Sequence, residues 1–354
     1  MIQMSKFRCL IVVLTAMTSC INDEIDVNDN TSLSDTDSGI TVGTTVTTGI
    51  SSSDLLSLSV SLDEYSSEPS SSAKEIFYDE EDCLDMDMDP FTTIVNVTFN
   101  GASVICDEVE GVDVSIQGGH ITVDHGEIKN ISYHLSGSTT NGSFTVCGNK
   151  KYEVVLDGVD ISNPDSAALN LLSGKRAFLV LGSGSVNVLT DGSLSQNDHK
   201  GTLYCKGKLL INGTGRLNVY ANYNNAIHCA DYIVFRSGNI VYVSASATAN
   251  HGIKANDGII INGGIINVEV SATAAKGINS EADIMVNGGR TTVITTGGGE
   301  YDSSESDTKA SAGLKCDSVF YMNGGELYVM SQGAGGKGVK ADWEAYVEGG
   351  IIIA

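Results

Sequence analysis

The chain has 354 residues, of which 40 are glycine and only 3 are proline, and its net charge is −24. An acidic chain without a basic stripe has no surface suited to a phosphate backbone, so no nucleic-acid partner is expected. The acidity is uneven, because residues 21–90 hold 18 acidic residues and one lysine. Such a Ser/Thr/Asp-rich segment buries too little apolar surface to offset its ordering entropy, which predicts a disordered linker over residues 21–91.

The N-terminus has the features of an export signal. Two basic residues precede an apolar run over residues 9–16, which is too short to span a bilayer but typical of a signal peptide. The run ends in Met-Thr-Ser-Cys, which resembles a bacterial lipoprotein cleavage box and implies lipidation of Cys20. The acidic pair at 23–24 resembles the surface-export signal of Bacteroidetes lipoproteins. Residues 1–20 are thus predicted to be a lipoprotein signal peptide, and the protein to be anchored at the cell surface in the outer membrane. An ordinary secretory signal cut near Ser19 is the alternative.

From Gly252 onward the chain repeats one pattern four times. Gly-Ile-Lys-Ala at residues 252–255 recurs with small changes at 277–280, 313–316 and 338–341. Each copy is followed by an alternating apolar run, a Gly-Gly turn and a second alternating run. Looser copies precede these around residues 203–219 and 227–243. Units of about 25 residues with period-2 patterns and no helical stripe predict a solenoid of short strands.

The alternation within residues 252–270 predicts which side chains face inward, because successive side chains of a strand point to opposite faces. The inward set is Ile253, Ala255, Ile259, Ile261, Ile266, Val268 and Val270, and the outward set is Lys254, Ile260, Asn267 and Glu269. Units stacked about 4.8 Å apart align equivalent residues in columns. One inward column holds Cys205, Cys229 and Cys316, which are expected to be buried free thiols. The predicted fold is an all-β parallel β-helix over residues 92–354.

The N-terminal half repeats less cleanly. Residues 111–123 read as one more strand–turn–strand unit. Several segments, at 156–161, 167–168, 188–192, 276–278 and 312–317, resemble the coils of carbohydrate-binding domain-containing proteins of secreted bacterial systems. That family consists of right-handed parallel β-helices akin to pectate lyases, and the resemblance covers roughly residues 130–354. It implies a right-handed helix and a polysaccharide partner.

Two outward columns form the candidate ligand surface. The first carries His228, Lys254, Asn279, Lys315 and Lys340, and the second carries Glu281, Asp317 and Asp342. Charged groups that recur at strand spacing suit a polymer, since the cations can pair with uronate carboxylates and the acids can hold Ca²⁺ bridging to sugar acids. The alternative is a solvated face on which lysines and acids pair with each other, each pair contributing about 0–1 kcal/mol. The single tryptophan, Trp343, is the candidate sugar-stacking aromatic.

An inserted loop after residue 297 is a second candidate calcium site. Its carboxylates are those of Glu300, Asp302, Glu305 and Asp307. Acids on a Gly/Ser-rich loop can gather oxygen ligands around Ca²⁺, although the spacing is not that of an EF-hand. Solvated acids are the alternative.

Three functions are open at this point. Polysaccharide binding without catalysis is favoured over a Ca²⁺-dependent lyase, because a lyase needs a strong base beside the carboxylates and no arginine falls in the predicted columns. A surface adhesin or spacer without a glycan ligand is the third. The last unit stops at Ala354 without a polar cap, so we expect further coils, self-association or capping by another chain at this end.

Overall fold

The computed structural model describes residues 91–193, 198–236, 238–304 and 306–354. Every regular element in these ranges is a β-strand, which confirms the all-β prediction. No helix in this part of the chain is long and apolar enough to cross a membrane. The predicted signal peptide, Cys20 and all of the predicted linker except Phe91 lie outside the described residues.

The repeating unit contributes three strands, and each pairs in parallel with the equivalent strand of the next unit. The first strands form a ten-stranded sheet, here called the first-strand sheet. Its members are β3 (Asp113–Gln117), β4 (Gly119–Asp124), β6 (Gly142–Cys147), β8 (Leu169–Leu171), β11 (Gly201–Cys205), β14 (Asn225–Cys229), β17 (Ile253–Ala255), β20 (Lys276–Ser280), β25 (Ala312–Cys316) and β28 (Lys337–Ala341).

The second and third strands of each unit form two further ladders. The second-strand ladder contains β9 (Ala177–Leu181), β12 (Leu209–Gly213), β15 (Tyr232–Phe235), β18 (Gly258–Ile261), β21 (Ile284–Val286), β26 (Phe320–Met322) and β29 (Ala345–Val347). The third-strand ladder contains β10 (Val186–Asp191), β13 (Arg216–Ala221), β16 (Ile240–Ala245), β19 (Ile265–Val270), β22 (Arg290–Thr295), β27 (Glu326–Ser331) and β30 (Ile351–Ile353).

The N-terminal units are built differently. The strands β1 (Thr93–Asn100) and β2 (Ser103–Cys106) form an antiparallel pair, and β1 pairs in parallel with β5 (Ile131–Thr139). The long strand β7 (Tyr152–Asn163) serves both ladders, because its first half pairs with β9 and its second half with β10. The predicted unit at residues 111–123 is a tight antiparallel hairpin of β3 and β4, which corrects its assignment as one more stacked unit.

The glycine that opens each repeat has a packing cause. A Cβ on Gly277 would lie 2.1 Å from Cγ1 of Val293, and one on Gly313 would lie 2.0 Å from Cγ1 of Val329. These valines belong to the third strand and point into the core. The first and third strands of one unit therefore approach each other so closely across the core that only glycine fits at this position.

The predicted inward columns are confirmed as the core. Ile259, Ile284 and Phe320 are aligned by strand register and are at most 1% exposed. Cys205, Cys229 and Cys316 are buried free thiols in one column, as predicted. The outward set contains one exception, because Ile260 is fully buried although it lies between two inward residues.

Candidate functional site

The predicted outward column of the first-strand sheet exists in the expected register. Its members pair in the order Tyr204, His228, Lys254, Asn279, Lys315 and Lys340. The column also continues upstream through Thr122, Thr145 and Asn170, which the sequence did not reveal because the early units differ in length. A row of nine polar or aromatic residues, here called the lysine column, thus crosses the sheet at strand spacing.

The upper part of this column is more closed than predicted. His228 is only 6% exposed, packs edge-on against Tyr204 with ring centroids 5.6 Å apart, and has Nδ1 3.3 Å from the Lys200 carbonyl oxygen. Burial lowers the pKa of His228, which favours the neutral ring. A neutral and nearly buried imidazole is poorly suited to the predicted pairing with a uronate carboxylate.

In the lower part of the column, the lysine side chains are partly exposed to solvent. The side chains of Lys254, Lys315 and Lys340 are 23%, 20% and 36% exposed. Between the first two lies Asn279, which is 8% exposed and whose Oδ1 is buried without a hydrogen-bond partner among the described residues.

The acidic column lies beside the lysine column, and the two are paired. Backbone hydrogen bonds align Glu281, Asp317 and Asp342 one residue past the ends of β20, β25 and β28. Nζ of Lys254 lies 2.8 Å from a carboxylate oxygen of Glu281. In the last two units, Lys315 pairs with Asp317 and Lys340 with Asp342. We call these three lysines and three acids the charge ladder: Lys254, Lys315, Lys340, Glu281, Asp317 and Asp342.

Asp342 is the centre of the charge ladder. Its carboxylate lies 3.3 Å from Nζ of Lys315 and 3.2 Å from Nζ of Lys340, while Lys315 also bonds Asp317. Burial by itself would raise the pKa of Asp342, but the two lysines lower it below its ordinary value. Burial by itself would lower the pKa of Lys315, but Asp317 and Asp342 raise it. The pairing that the sequence left as an alternative is therefore present.

The predicted calcium ligands are not gathered into one group. Among the described residues, no three His, Cys, Asp or Glu side chains lie close enough together to hold a metal ion. The inserted loop forms an antiparallel pair of β23 (Glu300–Asp302) and β24 (Asp307–Lys309), in which Asp302 binds Lys309 at 2.6 Å. The Lys309 hydrogen bond lowers the pKa of Asp302. Glu305 lies outside the described residues, and calcium stays a prediction.

Aromatic side chains cluster near the last two units. Trp343 is 48% exposed and follows the charge ladder, with its amide bonded to the Ser318 carbonyl. Tyr321 and Tyr346 stack on the outside of the second-strand ladder, with ring centroids 5.5 Å apart and planes within 14°. The stacked pair was missed, although the repeat spacing places Tyr321 and Tyr346 in equivalent positions of successive units.

The comparisons with known proteins agree with this architecture. A solved polysaccharide lyase-like protein from C. thermocellum, studied as a gadolinium derivative, is 25% identical with a TM-score of 0.58, and the match covers 74% of this chain and 97% of that one. A carbohydrate-binding domain-containing protein of Acetivibrio thermocellus is 32% identical over 152 residues, or 41% of this chain. Those residues are 51% of the relative, so the chain spans about half of that protein's length.

The family model gives the assignment. A model described as carbohydrate-binding domain-containing protein matches residues 117–274 and 268–354, which together are more than half of the chain. This span contains the whole lysine column and the charge ladder. The chain therefore belongs to the family of carbohydrate-binding domain-containing proteins.

Proposed function

We propose that this protein binds a polysaccharide without cleaving it, along the outer face of the first-strand sheet. The observation that carries the proposal is the row of polar side chains at strand spacing, with lysines at three of its positions. We further propose that the three ladders wind as a right-handed parallel β-helix. A polymer that lies along the stacking direction then meets equivalent groups on successive units.

Each part of the face has a role in this proposal. The ammonium groups of Lys254, Lys315 and Lys340 donate to sugar hydroxyls or to uronate carboxylates. Trp343 supplies an apolar surface beside the last unit, on which a sugar ring can stack.

The ligand class is proposed to be an acidic, uronate-containing polysaccharide. The lysines are held by their acidic neighbours, so a uronate carboxylate binds by exchanging with these acids rather than by meeting free cations. Ca²⁺ is proposed as a bridging ion where a sugar acid approaches Asp317 and Asp342. These two acids lie on adjacent units and share Lys315.

The location is also a proposal. The lipoprotein-like start of the chain supports export, lipidation of Cys20 and display on the outer membrane. A lipid-anchored protein with a repetitive polar face can hold a soluble polymer close to the cell.

The test compares two triple variants of equal charge change. The site variant is K254A/K315A/K340A, and the matched control, which removes three lysines elsewhere, is K129A/K150A/K309A. The site variant is expected to lose binding to an immobilised uronate polymer while keeping the circular dichroism of the parent, because its three side chains point away from the core. Equal binding by the site variant and the parent refutes this face as the site.

Lyase activity is the second candidate, and one residue favours it. Burial, reinforced by Lys315 and Lys340, lowers the pKa of Lys276, which opens β20 beside the lysine column. A lysine with a lowered pKa can act as a general base, as β-elimination from a uronate requires. Incubation with pectate and Ca²⁺, followed by absorbance of the unsaturated product, decides between the two. We expect no product, and a signal that K276A abolishes would establish the lyase.

A further inference from the structure

The strand β3 is an edge of the first-strand sheet. Among the described residues, its strand partner is β4, which follows it after the turn at Gly118 and Gly119. All five residues of β3, Asp113–Gln117, are exposed. Within the part of the chain that the structure describes, the side of β3 that faces away from β4 is therefore open to solvent.

The hairpin geometry shows which backbone groups point to this open side. In a two-residue hairpin, the residues that flank the turn exchange hydrogen bonds, and here these are Gln117 and His120. Bonded and non-bonded pairs alternate along an antiparallel ladder, so Ser115 also bonds to β4. The N–H and C=O groups of Val114 and Ile116 therefore point away from β4, towards the open side.

The apolar side chains of β3 continue the core row past the stacked strands. Val114 pairs with Val123 and Ile116 with Ile121, and these two partners are 0% and 1% exposed. Directly opposite residues lie on the same face of a sheet, so Val114 and Ile116 point to the core side. They are nevertheless 39% and 46% exposed. The core row thus ends in two apolar side chains that are only partly covered.

The strand lacks the features by which edge strands usually avoid pairing with another chain. Such strands carry lysine, proline or a bulge. The sequence of β3 is Asp-Val-Ser-Ile-Gln, with its one charge at the first residue, and its register with β4 is unbroken. An open edge of this kind is a site at which a further strand can be added.

We propose that β3 pairs with β3 of a second copy of this chain, antiparallel and across a two-fold axis at Ser115. This register places Val114 opposite Ile116 of the partner subunit, and Asp113 opposite Gln117 of the partner subunit. Apolar side chains therefore meet apolar side chains, and no like charges lie directly opposite each other. Each pair of Val114 with the partner's Ile116 also exchanges two backbone hydrogen bonds, which satisfies the outward groups of both residues.

The residues beside β3 determine this register. The N–H of Val112 donates to the carbonyl oxygen of Val109 at 3.1 Å, so it is already used within its own chain. At the other end, Gly118 begins the turn to β4. Residues 113–117 are thus the segment left to pair, and the centre of this segment is Ser115.

The pairing joins the outer faces of the two copies. The two-fold axis that relates antiparallel neighbours is perpendicular to the sheet, so each face of one sheet continues into the same face of the other. Ser115 pairs with Thr122, which belongs to the lysine column. Two ten-stranded sheets therefore become one continuous sheet, on which the lysine columns of both copies meet at Ser115. The pairing itself requires no ligand.

Sedimentation of the full chain, together with two double variants, gives the first test. The parent is expected to form a particle of twice the 37.1 kDa of one chain. V114K/I116K should lose this dimer, because it places like charges opposite each other. I94K/I105K should keep it, since these isoleucines, 51% and 63% exposed, lie on β1 and β2 outside the proposed interface. Circular dichroism checks that both variants keep the β content of the parent.

Three results of this test overturn the proposal. They are a monomeric parent, a dimer that V114K/I116K retains, and assemblies larger than a dimer, because a two-fold contact closes after two copies.

A disulfide cross-link gives the second test and leaves the apolar residues unchanged. On the two-fold axis, Ser115 faces its own copy in a non-hydrogen-bonded pair with Cα atoms about 4.5 Å apart, which is within the range for a disulfide. Under mild oxidation, Ser115→Cys is expected to give a covalent dimer on a non-reducing gel. Gln117→Cys is the matched control, because its two copies lie about 13 Å apart at roughly 3.3 Å per residue. No cross-link in Ser115→Cys beyond that of the parent, or equal cross-linking in both variants, overturns the proposal.

Discussion

In the absence of Ca²⁺, neutralising Asp342 is predicted to strengthen binding of a uronate polymer. The carboxylate of Asp342 lies 3.3 Å from Nζ of Lys315 and 3.2 Å from Nζ of Lys340, so Asp342→Asn removes two ion pairs and frees both cations in part. Lys315 retains Asp317, whereas Lys340 keeps no other carboxylate partner among the ion pairs of the described residues.

The size of the effect follows from the exposure of these groups. The Asp342 side chain is 35% exposed, and partly exposed ion pairs contribute about 0.2–1 kcal/mol each. Two pairs that no longer compete with the ligand therefore make its binding free energy more favourable by about 0.4–2 kcal/mol, which lowers the dissociation constant roughly 2- to 30-fold. The gain should shrink as salt rises, because added ions screen exposed charges beyond about 8 Å at physiological ionic strength.

Titration calorimetry with a uronate polymer at low salt measures this effect. Asp307→Asn is the matched control, since it removes one acidic charge from the inserted hairpin, outside the charge ladder. A neutral polymer should bind the parent and Asp342→Asn equally. Weaker uronate binding by Asp342→Asn in Ca²⁺-free buffer refutes direct pairing with lysine, whereas weaker binding only after Ca²⁺ is added would show that the acid holds a bridging ion.

Three further predictions concern the fold and the anchor. Gly277→Ala should destabilise the protein by about 1–3 kcal/mol, because the new Cβ would lie 2.1 Å from Cγ1 of Val293. Thermal melting should show a shift of several degrees, whereas Gly174→Ala, with no atom within 4 Å of the new Cβ, should leave the midpoint nearly unchanged. Burial lowers the pKa of His251 to about 3 in the folded protein. As the pH drops from about 6.5 towards 3, this imidazole therefore takes up a proton in the unfolded chain but not in the folded protein, and the free energy of unfolding falls. Denaturant titrations across this range should show a flatter dependence for His251→Asn. Cys20→Ala should move the protein from the membrane fraction to the soluble fraction, and unchanged retention would contradict lipidation.

The repeats made most of the strand register predictable. A spacing of 25 residues between equivalent glycines aligns Lys254 with Asn279 and Ile259 with Ile284, and the structure has both pairs. Period-2 alternation also separated the core from the outer face, because a one-residue error would expose every apolar side chain.

Features that depend on the third dimension were not predictable. The hairpin of β3 and β4 has the same alternation as a stacked unit, so its antiparallel pairing is invisible in sequence. Whether Lys315 meets solvent or Asp342 depends on how far two side chains reach across neighbouring units. Ile260 is buried on the outer face of its strand. The alternation within that strand predicts only which face the side chain is on, and not whether other residues cover that face.

The hairpin of β23 and β24 shows that the length of one unit can change without disturbing its neighbours. The step from Gly277 to Gly313 is 36 residues rather than 25, yet β20 still pairs with β25 and β22 with β27 in unbroken register. The corner between a third strand and the next first strand is therefore a point at which the scaffold tolerates grafts. Sequence drift can enlarge such a corner into a new recognition loop while the stacked architecture is preserved, and an engineer can insert an epitope there for the same reason.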